Sequence, residues 1–318
     1  MALNNFLDVL VFSFSITMPI FMILALGVIL YRMRIINDNF IDVASKLVFN
    51  VTLPALLFIS ISKSDISSNT DLSLVIYAMI AVTVTYIALE LLLSIWEPDK
   101  AERAVLVQGA FRSNMGIIGL AYCVNAYGNN VFSVASVYLG GVTILFNILS
   151  VIGLSRALGK NASLIGILKG IAKNPLIIAI LAAFITSLTG LSLPSTLYKA
   201  GDYFAQMTLP LALLCAGASL NFKSLKSGML GAILASVGKL IFIPFILTFG
   251  GYLLGYRGME LGVLFLMSSA PTASASYIMV RAMNGNSTLA ANIIVITTIA
   301  SLISTSIGVT LLRSFNLI

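Results

Sequence analysis

Two polar stretches inside otherwise apolar runs carry the side chains best suited to hold a ligand. Residues 111–119 read FRSNMGIIG, and residues 268–276 read SSAPTASAS. The guanidinium of Arg112 is costly to bury in a bilayer unless it meets an anion, a polar partner or water. Asn114 and Thr272 would add neutral hydrogen-bonding groups beside it. These residue types predict a site for an anion.

The same sequence argues against an enzyme or a metalloprotein. Its 318 residues include no His, the commonest general base and metal ligand. Cys123 and Cys215, the two cysteines, both lie in apolar runs, as is typical of small buried hydrophobic residues. The chain also lacks a Gly-x-Ser-x-Gly nucleophile elbow. We therefore expect no enzymatic activity, no metal and no cofactor.

The elements that position the two polar stretches are membrane-spanning helices. Hydrophobic residues make up 59% of the chain and charged residues 9%, whereas a soluble domain has about 25% charged residues. Because a helix needs about 20 apolar residues to cross the hydrocarbon core, we predict an all-α polytopic membrane protein with ten transmembrane helices and no soluble domain. The ten apolar runs are 10–31, 39–61, 72–95, 103–126, 131–153, 174–192, 196–219, 228–250, 259–282 and 287–312.

The cations are distributed unevenly between the two ends of these runs. Eleven Lys and Arg residues lie in the gaps after runs 1, 3, 5, 7 and 9, and four lie beyond the other ends. Because cytoplasmic loops are enriched in Lys and Arg, both termini are predicted to be non-cytoplasmic. Membrane topology thus explains the formal net charge of +7, and no nucleic-acid partner is expected.

Similar residues recur 156 positions apart in the two halves of the chain. The matched sets are Thr52-Leu53-Pro54 with Thr208-Leu209-Pro210, Pro19 with Pro175, and Asn114-Met115-Gly116 with Ala270-Pro271-Thr272. Since a unit of five helices is odd, the second unit must enter the membrane inverted. We predict one membrane domain made of two inverted five-helix repeats, residues 1–155 and 156–318, with residues 154–173 as the linker.

Helices 4 and 9 are predicted to break at mid-span and to cross. A mid-helix proline such as Pro271 removes a backbone hydrogen bond, and the freed groups need other partners in lipid. The N-terminal ends of the resumed half-helices carry partial positive charge and would face the anion. Pro54, Pro210 and Gly119 are the predicted helix-break or hinge positions. The predicted binding residues are Arg112, Asn114, Met115, Gly116, Ala270, Pro271 and Thr272.

Four charged residues within or beside the predicted helices are candidates for coupling transport to protons. Glu90, Asp42 and Asp202 are the acidic candidates. Asp42 also has the i, i+4 spacing of an ion pair with Lys46, which favours a structural role. Lys239 is the basic candidate. The alternative for Glu90, Asp202 and Lys239 is a position close enough to an interface for the side chain to be solvated.

Residues 53–58, 112–116 with Gly119, 173–176 and 270–274 form motifs that resemble those of the auxin efflux carrier family, which includes bacterial malonate and malate permeases. The resemblance extends over essentially the whole chain. It implies two inverted repeats with helices 4 and 9 crossing, a scaffold of helices 1, 2, 6 and 7, and a mobile part of helices 3–5 and 8–10. It also implies an organic anion at the crossing, a homodimer formed through the scaffold helices, and a bacterial inner-membrane location.

These observations lead to the hypothesis of a secondary transporter or facilitator of a small organic anion, such as malonate, malate or an auxin-like acid, working by elevator-type alternating access. The alternatives are a sodium- or proton-coupled exchanger of the same fold and a metabolite sensor that does not transport. Arg112 would neutralise the carboxylate in the leading hypothesis. Its structural alternative is extension to the cytoplasmic interface or pairing with Glu90.

Overall fold

The protein folds almost entirely into helices in this computed structural model, which describes residues 2–62, 72–158, 172–189, 193–220 and 228–318. Residues 159–171 of the predicted linker lie outside the described residues. The helices are α1 Ala2–Arg32, α2 Asp38–Leu47, α3 Leu53–Ser62, α4 Ser73–Trp96, α5 Lys100–Phe111, α6 Leu120–Tyr127, α7 Phe132–Ala157, α8 Pro175–Thr189, α9 Ser195–Ala218, α10 Met229–Val237, α11 Ile243–Leu253, α12 Gly258–Ser269, α13 Ala275–Ala282 and α14 Ser287–Ser314.

Six stretches of the described chain are long and apolar enough to cross a membrane. They are Val11–Arg32, Asp38–Ile59, Ser73–Trp96, Met115–Ala157, Met229–Leu253 and Ser287–Ser314. Their outward side chains, such as Leu91, Phe245 and Ile303, are large and apolar, as a lipid-facing surface requires. The protein is therefore a polytopic helical membrane protein. The count of ten spans stays a prediction.

In the described ranges, three π-helical turns interrupt the spans, at Val48–Thr52, Met115–Gly119 and Gly238–Phe242. Two of them end two residues before a proline, Pro54 and Pro244. A proline has no N–H to donate to the carbonyl four residues earlier, so the helix widens by one residue where that bond is missing. The predicted break at Pro54 is thus a widened turn, whereas Pro210 lies within the continuous helix α9.

Helices α1 and α9 approach each other so closely that only glycine fits at two places. A Cβ atom on Gly217 would overlap the backbone carbonyl of Leu24, and one on Gly27 would overlap the carbonyl of Leu214. Each helix therefore contributes one glycine to a reciprocal contact of backbone against backbone. Helix α3 packs on α8 and α9, so these four helices form one continuous layer. We call helices α1, α3, α8 and α9 the frame layer.

Replacing Gly217 with Ala should destabilise the α1–α9 contact by about 1–3 kcal/mol, since the added methyl meets a backbone carbonyl that cannot rotate away. The measurement is the thermal unfolding midpoint of the purified protein in detergent. Gly238→Ala is the matched control, because its Cβ would meet the Ala110 methyl at an ordinary 3.7 Å. Equal midpoints for the two variants would contradict the proposed contact.

Candidate functional site

Helices α5 and α12 both end abruptly inside the protein. Helix α5 ends at Phe111 because Arg112 adopts an extended conformation with φ −85° and ψ 99°. Helix α12 ends at Ser269, where Ala270 turns to φ −57° and ψ 142°. The chain resumes helical structure at Met115 in the first case and at Ala275 in the second. Both breaks fall inside the two polar stretches from which they were predicted.

The two extended segments pair with each other in an isolated antiparallel β-bridge between Ser113 and Thr272. The Asn114 N–H donates to the Pro271 carbonyl at 2.7 Å, and the Ala273 N–H donates to the Arg112 carbonyl at 3.0 Å. A backbone N–H or C=O group without a hydrogen bond in the bilayer core costs roughly several kcal/mol. Each break supplies hydrogen-bond partners for the backbone groups that the other break leaves open.

The side chains of the two bridged residues also form hydrogen bonds with backbone carbonyls near the ends of the interrupted helices. Ser113 Oγ donates to the Ser268 carbonyl at 3.2 Å, and Thr272 Oγ1 donates to the Gly109 carbonyl at 2.6 Å. Each hydroxyl therefore satisfies a carbonyl near the C-terminal end of the opposite helix. A short polar residue on each segment is thus required by the opposite helix end, independently of any ligand.

These contacts obey a local two-fold relation in which residue i of the first segment corresponds to residue i + 159. Ser113 corresponds to Thr272, and Gly109 corresponds to Ser268. The predicted correspondence of Asn114-Met115-Gly116 with Ala270-Pro271-Thr272, at 156, is therefore wrong by three residues. Arg112 is the counterpart of Pro271. Pro271, which has no backbone N–H, thus lies in the second segment at the position that the buried guanidinium of Arg112 has in the first.

The guanidinium of Arg112 is buried, with 7% of the residue exposed. Nη2 donates to Asn147 Oδ1 at 2.7 Å, and Nη1 lies 3.1 Å from Ser150 Oγ and 2.7 Å from Met279 Sδ. All three partners are uncharged, and no carboxylate in the described part of the chain forms an ion pair with Arg112. Glu90, the alternative partner, instead lies 3.5 Å from Arg103.

Neutral donors without acceptors surround the start of the resumed helix after Arg112. The side-chain amide of Asn114 is 8% exposed and has no hydrogen bond within the described ranges. The backbone N–H groups of Met115, Gly116 and Ile117 likewise find no acceptor there. A helix N-terminus with free N–H groups and an unpaired amide favours a negatively charged group.

The other predicted residues have mainly packing roles. Gly119 lies against α12, since a Cβ there would meet Met267 Sδ at 3.0 Å and Ala270 Cβ at 3.5 Å. Ala270 itself is fully buried, and Gly116 faces Leu53. These small residues allow α6 and α12 to approach at the crossing.

The three acidic candidates do not meet at the crossing. Glu90 pairs with Arg103. Asp42 is exposed on α2 and makes no ion pair with Lys46, so the predicted i, i+4 pair is not formed. Asp202 lines a cavity of about 780 Å³ between the frame layer and the start of α7. The other polar residues of this cavity are Asn125, Asn129, Asn130, Ser133 and Gln206.

Lys239 lies inside the protein and not at an interface, which was the alternative for this residue. It is completely buried in the π-turn between α10 and α11, and its Nζ donates to the Ser268 carbonyl at the end of α12. Solvation at an interface is therefore excluded. The proline at 244 signals the widened turn, but the sequence pattern contains no signal that directs Lys239 towards α12.

The chain matches the family described as Membrane transport protein over residues 12–164 and 160–309. It is 25% identical over 295 residues to an uncharacterized transporter of Methanothermobacter thermautotrophicus, covering 92% of this chain and 96% of the relative. It is 26% identical to one of Methanocaldococcus jannaschii, covering 85% and 89% of the two chains. Escherichia coli YfdV, also an uncharacterized transporter, is 25% identical over 86% and 90%. The protein belongs to the membrane transport protein family, which is the auxin efflux carrier family.

Removing the Thr272 hydroxyl should weaken the crossing, because the Gly109 carbonyl then loses its donor in an apolar setting. We expect Thr272→Val to lower the free energy of unfolding by about 1–3 kcal/mol. Thr298→Val is the matched control, since the equally buried Thr298 hydroxyl bonds only to Ile294 in its own helix. The thermal midpoints of the two variants decide, and a control as unstable as Thr272→Val would refute this role.

Proposed function

We propose that this protein is a secondary transporter or facilitator of a small organic anion, such as malonate or a related carboxylate. The observation that carries the proposal is the buried guanidinium of Arg112, located in a helix break and surrounded by neutral partners. A charge that is removed from water is stable only when it is compensated. A carboxylate that enters the crossing supplies that compensation.

The groups around Arg112 are suited to a carboxylate in number and type. The unpaired amide of Asn114 and the free N–H groups of residues 115–117 are donors at the adjacent helix start. Hydrogen bonds to a charged acceptor are roughly twice as strong as those between neutral groups. Neighbouring Asn147 holds the guanidinium in place at 2.7 Å. Recognition therefore rests on one cation and several fixed dipoles.

Elevator-type alternating access fits the division between the frame layer and the crossing. The two glycine contacts join α1 and α9 rigidly, whereas hydroxyl contacts join α1 to α14, with Thr17 Oγ1 2.9 Å from Ser306 Oγ. The cavity lined by Asp202 and Gln206 lies along the boundary between the frame layer and helices α6 and α7. Sliding the crossing along this boundary exposes the anion to either side.

The proposed topology has ten spans arranged as two inverted five-helix repeats. The broken pairs α5 with α6 and α12 with α13 each cross the membrane once, and α8 and α9 supply two further spans. The excess of Lys and Arg in alternate loops orients both termini to the non-cytoplasmic side. Because the relatives are archaeal and bacterial transporters, the proposed location is the cytoplasmic (inner) membrane of a prokaryotic cell.

Arg112→Gln should abolish the stabilisation that malonate gives the wild type, since a ligand that binds the native state raises its unfolding midpoint. Arg103→Gln, in the helix that precedes Arg112, is the control and should retain the malonate effect, because Arg103 pairs with Glu90 away from the crossing. Arg112→Lys keeps the charge and guards against loss of fold in the Gln variant. Undiminished malonate stabilisation in folded Arg112→Gln would disprove the anion site.

Liposomes that contain the purified protein should take up radiolabelled malonate at a rate that responds to the membrane potential. The free energy is about 2.3 kcal/mol per net charge at 100 mV. Binding without uptake would instead identify a metabolite sensor. Uptake that persists in Arg112→Gln would remove the guanidinium from the transport cycle.

A further inference from the structure

The completely buried ammonium of Lys239 is placed where a helix end has spare carbonyl groups. The last carbonyls of α12 have no partners within the helix, because the chain turns away at Ala270. The Ser268 carbonyl would ordinarily accept from the Thr272 N–H, but that group donates to Thr297 Oγ1 at 3.1 Å. Pro271 has no N–H to offer. In place of these groups, the Ser113 hydroxyl and the Lys239 Nζ both donate to the Ser268 carbonyl.

The C-terminal end of a broken membrane helix is a place where transporters bind a coupling cation. Its unpaired carbonyl groups carry partial negative charge, and they coordinate Na⁺ or a proton donor in several transporter folds. Here the positive charge at that end belongs to the chain itself. No carboxylate in the described ranges forms an ion pair with Lys239. The amine therefore meets a carbonyl oxygen of the helix end, that of Ser268, and no carboxylate in the described ranges.

The local two-fold relation shows that the crossing itself does not require this charge. The Gly109 carbonyl, which corresponds to Ser268, is held by the Thr272 hydroxyl. The Ser268 carbonyl has the equivalent hydroxyl bond from Ser113 and the ammonium in addition. One helix end thus carries a full cation that its symmetry counterpart lacks.

We propose that Lys239 is a built-in substitute for a coupling cation, so that this protein binds its anion without Na⁺. This inference rests on the proposed function, because the expected effect on malonate affinity requires that the protein binds an anion. The amine at the end of α12 cannot leave the protein at any stage of the cycle, because it is covalently attached. The crossing then holds two fixed cations, Lys239 and Arg112, against one exchangeable anion.

Cation dependence of the purified full-length protein tests this substitution. Unfolding midpoints and malonate affinity are measured in chloride buffers whose monovalent cation is Na⁺, methylammonium or N-methyl-D-glucamine. The variants are Lys239→Ala, which leaves space for a small cation, and Lys239→Met, which fills that space with an uncharged chain of similar length. We expect the wild type to be indifferent to the cation.

In N-methyl-D-glucamine, both variants should bind malonate about tenfold more weakly than the wild type, within the range usual for two coupled sites. Methylammonium or Na⁺ should restore Lys239→Ala to within about threefold of the wild type and leave Lys239→Met unchanged. A lysine that only braces the helix end predicts equal loss in both variants and no rescue.

The proposal would be overturned if the wild type had a higher unfolding midpoint or a higher malonate affinity in Na⁺ than in N-methyl-D-glucamine. Normal malonate affinity in Lys239→Met would also overturn it. If Lys239→Ala does not fold, the wild-type and Lys239→Met measurements still decide. If malonate does not bind to the wild type at all, the proposed function fails. The cation dependence of the unfolding midpoint, measured without malonate, then tests the role of Lys239 separately.

Discussion

The central constraint in this structure is that two helices end in the middle of a protein that lies in lipid. Each break leaves carbonyl and N–H groups that no water can satisfy there. The antiparallel bridge between Ser113 and Thr272 resolves part of this problem by pairing one break with the other. The helices must therefore cross, and both must carry a short hydroxyl residue at the same place. Much of the composition around the crossing follows from this requirement alone.

The crossing is symmetric in its backbone and asymmetric in its charges. The backbone and hydroxyl bonds follow one two-fold relation, so they account for the mutual support of the breaks. Arg112 and Lys239 do not follow it. The counterpart of Arg112 is Pro271, and Lys239 donates to the Ser268 carbonyl but not to the corresponding Gly109 carbonyl, which accepts from the Thr272 hydroxyl. A charge that is absent from the symmetric position is not needed for the crossing. This difference separates the residues that hold the two helix breaks together from the basic residues that, under the proposed function, favour a negatively charged ligand.

Much of this arrangement could be predicted from sequence because the signals are local. A proline, a buried arginine and small polar residues within apolar runs identify both breaks without any knowledge of tertiary structure. The register of the pairing could not be predicted. The offset of 156 holds at the prolines of the second and seventh runs, whereas the bridge pairs residues 159 apart. The π-turn Met115–Gly119 adds residues to one half-helix that have no counterpart in the other. The partner of Lys239 was equally hidden, because it depends on how α11 packs on α12.

The half-helices that resume after the two breaks differ in length. From Met115 to Tyr127 the chain continues as a π-turn of five residues followed by the eight-residue helix α6, whereas α13 consists of the eight residues Ala275–Ala282 with no π-turn before it. At 1.5 Å per residue, α13 extends about 12 Å beyond the crossing. The π-turn and α6 together extend roughly 20 Å in the opposite direction. The half-helices that lead into the crossing, α5 and α12, contain 12 residues each. The difference in length therefore lies only in the parts of the chain that lead away from the crossing.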